Sequence, residues 1–398
     1  MDGVIIEKMM NILFIFMYLV ACITGHRIDS MQNSVKENLD IERELKLINK
    51  TPVKSIHTKY GYIVDCIDIN KQPAFDHPLL KNHKLQRKPN FANKIRKDNV
   101  MKSSTSEAIF GLDEKDQCPS GSVPIRRTNK DELIRAKSYF SNVLLQNSPG
   151  FHVAQVTLRT VPKYFSYYGV GGTTSVYNLK VEKDQSSTAM MWVLKGDNDN
   201  LNFIGVGWHV APYIYEDDAT HLFTVWTTDN FNTGCFNLLC SGFVQTNKKI
   251  YLGGRFDDTS IYGGVMTEIA LSIIQDPETK NWWLSIKNQN FGYFPASLFS
   301  NLTSADQVGW GGQTTTSPGS PSPPMGSGYF PDNVFNHACY FRYVTFQNDS
   351  RQNYGPEDYL VDTFSDKPNC YSAEFYGNER SDVGYCLQFG GPGGRCSD

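Results

Sequence analysis

From residue 151 onward, apolar and polar positions alternate with a period of two. The pattern recurs in HVAQVTLRTV, TTSVYNLKV, STAMMWVLKG, NFIGVGWHVAP, HLFTVWTTD, KKIYLGGRF, TEIALSIIQ, NWWLSIKN, CYFRYVTFQ and GYCLQFGG. Successive side chains of a strand point to opposite faces, so this period predicts half-buried strands. Asp276-Pro277-Glu278 predicts a hairpin between two of them. Only residues 296–302, ASLFSNL after Pro295, read as a helix in this region. Ten or more strands with almost no helix between them predict antiparallel pairing. An all-β fold follows, an antiparallel β-sandwich of jelly-roll type.

The front of the chain has a different texture. Residues 35–50 carry apolar residues at helical spacing among paired charges, which predicts a helix. Two short strands follow around a turn at Tyr60-Gly61. The stretch 72–105 is rich in Pro, Asn and Lys and reads as an extended linker. Residues 129–146 predict a second helix, capped by Asn129 or Thr128 with Glu132 in its first turn and stopped by Asn147-Ser148-Pro149-Gly150. The predicted organisation is a leader over 1–25, a small α+β segment over 26–148, and the β domain over 149–398.

The leader is read from residues 11–25, NILFIFMYLVACITG, an apolar run too short to span a bilayer and ending in small residues. It predicts a secreted protein that starts near His26 and carries no membrane segment after cleavage. The net charge of −3 argues against nucleic acid as a partner. That balance conceals +7 over residues 26–148 and −9 over 149–398, so the two parts are electrostatically complementary. Beyond Cys22 in the leader there are eight cysteines: Cys66, Cys118, Cys235, Cys240, Cys339, Cys370, Cys386 and Cys396. An even number in a secreted chain predicts disulfides, although eight cysteines allow on the order of 100 pairings. No CxxC spacing appears, and neither metal nor cofactor is expected. Asn49, Asn301 and Asn348 open sequons and are candidate glycosylation sites.

Familiar catalytic signatures are missing. There is no phosphate loop, dinucleotide fingerprint, HExxH or GxSxG. His209 has no marked nucleophile near it, and Glu216-Asp217-Asp218 reads as a solvated turn. Two segments stand out. Gly205 and Gly207 interrupt an otherwise bulky strand, and residues 308–331 form a long Gly/Pro/Ser-rich loop after Trp310. If the two segments meet, Trp208, Trp310 and Tyr329 line a cleft; plain core packing is the competing reading of the tryptophans.

Several blocks resemble the plant neprosin family, whose members carry a leader, an activation peptide and a β-sandwich glutamic peptidase domain. They are GYIVDCIDINKQPAFDHPLLKNHKLQ (61–86), CPSGSVPIRRTNKDELIRAKSYF (118–140), residues 207–247, GYFPASLF (292–299), WGGQ (310–313) and MGSGYFP (325–331). The resemblance implies acid-pH cleavage after proline by two glutamates, one activating a water and one protonated and polarising the carbonyl. It places the first in a pattern like I-E-x-G-W, where this chain has Gly205. It places the second at the end of W-G-G-E, where this chain has Gln313. Family glutamine and histidine positions are Met190 and Tyr329 here. The resemblance also implies disulfides Cys235–Cys240 and Cys370–Cys396. Cys339 and Cys386 look like additions paired with each other, which leaves Cys66 with Cys118.

The expectation is a monomeric pseudopeptidase with a cleft for a peptide or polysaccharide ligand and its own activation segment as partner. The alternatives are an active acid prolyl endopeptidase with a substitute carboxylate, such as Glu268 or Asp306, and a carbohydrate-binding sandwich.

Overall fold

The computed structural model describes residues 36, 38–91, 105–107, 109–143, 150–159, 166–197, 200–229 and 232–396. The predicted leader and the helix stop at 147–149 lie outside these residues. The chain divides into two compact units after Leu47. Helix α1 begins in the first and spans residues 38–48.

The front segment then supplies strands β1 (Lys54–His57), β2 (Ile63–Asp68), β3 (Thr105–Glu107) and β4 (Ser122–Arg126), followed by helix α2 (Lys130–Val143). Strands β1, β2 and β4 form a small antiparallel sheet. The hairpin between the first two turns at Gly61, whose φ of 84° only glycine adopts without strain. The Asn129 side chain accepts the Glu132 amide at 2.7 Å and so caps α2. The stretch from 72 is no loose linker. It makes two short 3-10 turns, Pro73–Asp76 and Pro78–Leu80, and is pinned by Gln86 and Asn90 to the Asp276 carboxylate. The same carboxylate accepts the Glu278 and Thr279 amides and shapes the predicted hairpin.

The β domain follows with β5 (Phe151–Arg159), β6 (Gly169–Ser175), β7 (Ser186–Lys195), β8 (Asn202–Val210), the short helix α3 (Pro212–Tyr215), β9 (Thr220–Thr228), β10 (Thr233–Phe236), β11 (Val244–Gln245), β12 (Met266–Gln275), β13 (Trp282–Ile286) and β14 (Gln289–Phe294). It closes with β15 (Gln307–Thr315), β16 (Cys339–Gln347), β17 (Asn353–Tyr354), β18 (Val361–Ser365), β19 (Ser372–Asn378) and β20 (Tyr385–Gly390). The helix expected over 296–302 is a single 3-10 turn, Ala296–Leu298.

A seven-stranded sheet runs β10-β9-β8-β7-β15-β5-β18, and a ten-stranded sheet runs β11-β14-β13-β12-β6-β16-β20-β19 with β17 and β3 added. Strand β3 comes from the front segment and pairs parallel to β12; the pairs within the β domain are antiparallel. Val156, Trp208 and Trp310 of the first sheet and Ile273, Phe341 and Leu387 of the second share one hydrophobic core. This is the sandwich that the period-two pattern predicts, because each strand gives alternate residues to that core.

Candidate functional site

Strands β8, β7 and β15 lie side by side in the seven-stranded sheet. Ile204, Val206 and Trp208 face the core between the sheets. Alternation therefore puts Phe203, Gly205, Gly207 and His209 on the outer face. The same rule puts Gly309, Gly311 and Gln313 of β15 outward, opposite in sense to Val308 and Trp310. Met190 of β7 pairs with Gly207 on one side and with Gly311 on the other. Gly205 and Gln313 thus sit on one diagonal with Met190 at its midpoint, roughly 16 Å apart on a flat sheet. Long side chains at the two ends would converge above Met190.

That convergence is absent because one end is filled by rings. A Cβ on Gly205 would meet Phe203 Cε1 at 2.9 Å and Val225 Cγ1 at 3.1 Å. Phe203 in turn stacks with Trp192, the register partner of Gly205. Along this face of β8, β7 and β15 there is no carboxylate among the described residues. What remains is a polar row at the other end, where His209, Thr188 and Gln313 pair across the three strands. Thr188 Oγ1 is buried with no hydrogen-bond partner among the described residues, and Gln313 is 5% exposed. His209 is bonded to the Tyr215 hydroxyl at 2.8 Å and stacks on Phe223 at 4.5 Å. Burial, reinforced by His221, holds its imidazole well below the ordinary range, so it is neutral. An amide, a hydroxyl and a neutral imidazole can bind a peptide carbonyl or amide. None of the three is a carboxylate.

Helix α2 lies over this face. Leu133, Ala136 and Tyr139 are buried at helical spacing. The Tyr139 hydroxyl bonds Ser186 Oγ at 2.6 Å, and Ser186 bonds Thr315 Oγ1 at 2.7 Å, two residues beyond the Thr188–Gln313 pair. Tyr139 and Phe140 both pack on Phe236, in a cluster with Trp192, Phe203 and Met190. The turn after α3 anchors the front segment. Glu216 pairs with Arg135 at 2.9 Å, and Asp217 accepts the Tyr62 hydroxyl and His221 Nε2. The acidic turn read as solvated is a docking point.

Several expected site residues lie elsewhere. Trp208 and Trp310 are 0% exposed in the core, with their indole N–H groups donated to Ser175 O and Gly171 O. They line no cleft. Tyr329 is 49% exposed and stacks on Tyr262 near the ten-stranded sheet. Glu268 is buried in the ten-stranded sheet, where Arg342 Nε, Arg342 Nη2 and the Tyr340 hydroxyl saturate it. Asp306 sits just before β15, accepts the Gly196 amide and faces Lys195. Neither acid reaches the diagonal. Disulfides close Cys66–Cys118, Cys235–Cys240 and Cys370–Cys396. The Cys339–Cys386 bond is absent, and both thiols are free and buried. The register explains why: Cys339 pairs with Phe389 and Cys386 with Arg342, which puts the two sulfurs on opposite faces. Asn49 is held by Thr128 through both amide atoms, whereas Asn301 is exposed and Asn348 half-buried.

The neprosin family profile matches residues 183–392, which contain β7, β8 and β15. The chain belongs to the neprosin family. The neprosin activation peptide profile matches residues 55–156 and takes in α2. Among solved structures, a scytalido-glutamic peptidase with a transition-state analogue inhibitor is 9% identical, with 61% of this chain and 98% of that chain covered at a TM-score of 0.33. A homodimeric agglutinin from chicken liver is 8% identical, covering 41% and 96% at 0.21. In this neprosin domain, Gly205 and Gln313 stand out in the sequence, whereas Phe203, Thr188 and Tyr139, which surround them, carry no local signal. The odd spacing of Trp208 from Gly205, and of Trp310 from Gln313, already put both tryptophans on the opposite face.

Proposed function

We propose that this neprosin-family chain is a secreted pseudopeptidase. It keeps the peptidase sandwich and a peptide-binding face but does not cut. The observation that carries the reading is the Gly205 end of the diagonal, where Phe203 and Val225 occupy the space of a carboxylate. Losing a general base together with an electrostatic partner removes several orders of magnitude of rate. The Gln313–Thr188–His209 row supports retention of peptide binding once α2 is displaced. The leader and three disulfides support secretion, and Asn301 and Asn348 are the sequons best placed to carry glycans. The domain limits 26–148 and 149–398 fit this reading, with the front segment as the cover of the binding face.

The test is proteolysis of a quenched proline-containing peptide between about pH 3 and 6, after removal of the front segment. The natural protein is expected to bind the peptide without cleaving it. The variant Gly205→Glu/Gln313→Glu/Phe203→Ala, in which the ring no longer blocks the new carboxylate, is expected to cleave. Cleavage by the natural protein sinks the proposal.

A further inference from the structure

The outer face of the ten-stranded sheet holds a cavity of about 700 Å³. Its size falls within the range, roughly 300–1,000 Å³, of small-ligand sites. Its floor is a row of small polar residues: Ser272 of β12, Gly171 of β6 and Thr345 of β16 pair in register. A Cβ on Gly171 would meet Thr345 Oγ1 at 3.1 Å, so a side chain there would fill the floor. Ser272 lines the cavity and is 1% exposed, and its hydroxyl has no hydrogen-bond partner among the described residues. A buried hydroxyl without a partner is costly, and a ligand that supplies one gains what the free protein forgoes.

The floor exists because β16 bulges beside it. The β16–β6 register shifts between Arg342 and Thr345, and Tyr343 within the bulge has a φ of 51°. A bulky residue in the left-handed region is strained, and such positions persist where the surrounding structure enforces them. The bulge turns Tyr343 to one wall, which Tyr385 of β20 shares. Gln352, Asn353 and Asn378 add side-chain amides at the rim. No carboxylate lines the cavity among the described residues. Its one guanidinium, Arg351, is committed to both oxygens of Gln275 and stacks 3.6 Å over Tyr168.

Hydroxyls and amides both donate and accept, which matches the hydroxyls of a sugar. Tyrosine rings offer apolar faces to its C–H groups. With the guanidinium occupied, nothing in the lining calls for an anion. We infer that this cavity, on the opposite sheet from the peptidase face, is a binding site for a neutral oligosaccharide. The inference is independent of whether the other face cuts peptides.

The experiment titrates the full secreted chain with xylohexaose, cellohexaose and hexagalacturonate by calorimetry. At least one neutral hexamer is expected to bind and the uronate to bind more weakly or not at all. Ser272→Ala is expected to weaken binding about tenfold, and Gln352→Ala, an exposed change that leaves the fold alone, severalfold; neither lowers the melting temperature of the parent. Excess proline-rich peptide is expected to leave saccharide binding unchanged. Binding to neither neutral hexamer overturns the inference. So does binding of the uronate alone, affinity untouched by both substitutions, or competition by the peptide.

Discussion

At the scale of single residues, the two glycines of β8 have different reasons for being there. A Cβ on Gly207 would stand 1.9 Å from Ala189 O and 2.7 Å from Met190 Cα. Those are backbone atoms of the paired strand, and they move only if β7 and β8 separate. A Cβ on Gly205 meets the edge of the Phe203 ring, which can swing. Gly207→Ala is therefore expected to cost about 3 kcal/mol or more, and Gly205→Ala less than about 1 kcal/mol. Urea unfolding of the two variants checks the order, and equal losses would contradict it. The contrast bears on function. The fold demands Gly207, whereas position 205 accommodates a side chain once Phe203 yields, so glycine at 205 is not required by the pairing of β7 and β8.

At the scale of elements, α2 shows what was legible in the sequence and what was not. Its helical spacing and Asn129 cap were readable because both are local. Its position over the outer face of β7 was not, since Tyr139 meets Ser186 across 47 residues. The same division runs through the β domain. Alternation gave the strands and hence the sandwich, and parity separates Trp208 from Gly205 and Trp310 from Gln313, but which of the two faces is buried follows only from the packing of the two sheets. The β16 bulge, the free Cys339 and Cys386, and the Glu268–Arg342 pair depend on strand order and register, which no local pattern encodes. The helix makes its own prediction. Tyr139→Phe leaves Ser186 bonded to Thr315 and is expected to cost about 1 kcal/mol. Tyr139→Ala empties the contact with Phe236 and is expected to cost about 3 kcal/mol or more. Hydrogen exchange of α2 amides reads both losses, and protection unchanged by Tyr139→Ala would mean the helix is not held by that ring.

At the scale of the whole molecule, the charged contacts between the basic front segment and the acidic β domain are of unequal worth. Lys59 pairs with Asp257, and Arg135 with Glu216, but Lys59 and Glu216 are largely exposed, and such pairs contribute only about 0–1 kcal/mol. Asp217 is better shielded and accepts from Tyr62 of the front segment, from His221 and from the Ala219 amide. Burial pushes its carboxyl up, yet the His221 bond and charge, with the Ala219 amide, outweigh burial and hold it below the usual carboxylate range. A carboxyl depressed on folding binds more protons when unfolded. Its contribution is therefore complete above the ordinary carboxylate range, about pH 4, and fades as pH falls through the lower folded value. The front segment should stay docked in a mildly acidic compartment and loosen only in stronger acid. Asp217→Asn, which keeps the shape and removes the charge, is expected to be less stable than the parent by about 1 kcal/mol at neutral pH. That deficit should hold steady down to about pH 5 and shrink below it as the parent's own carboxyl takes up its proton. Unfolding measured across that range decides the matter. A deficit that grows on acidification would mean that the docking is governed by another group.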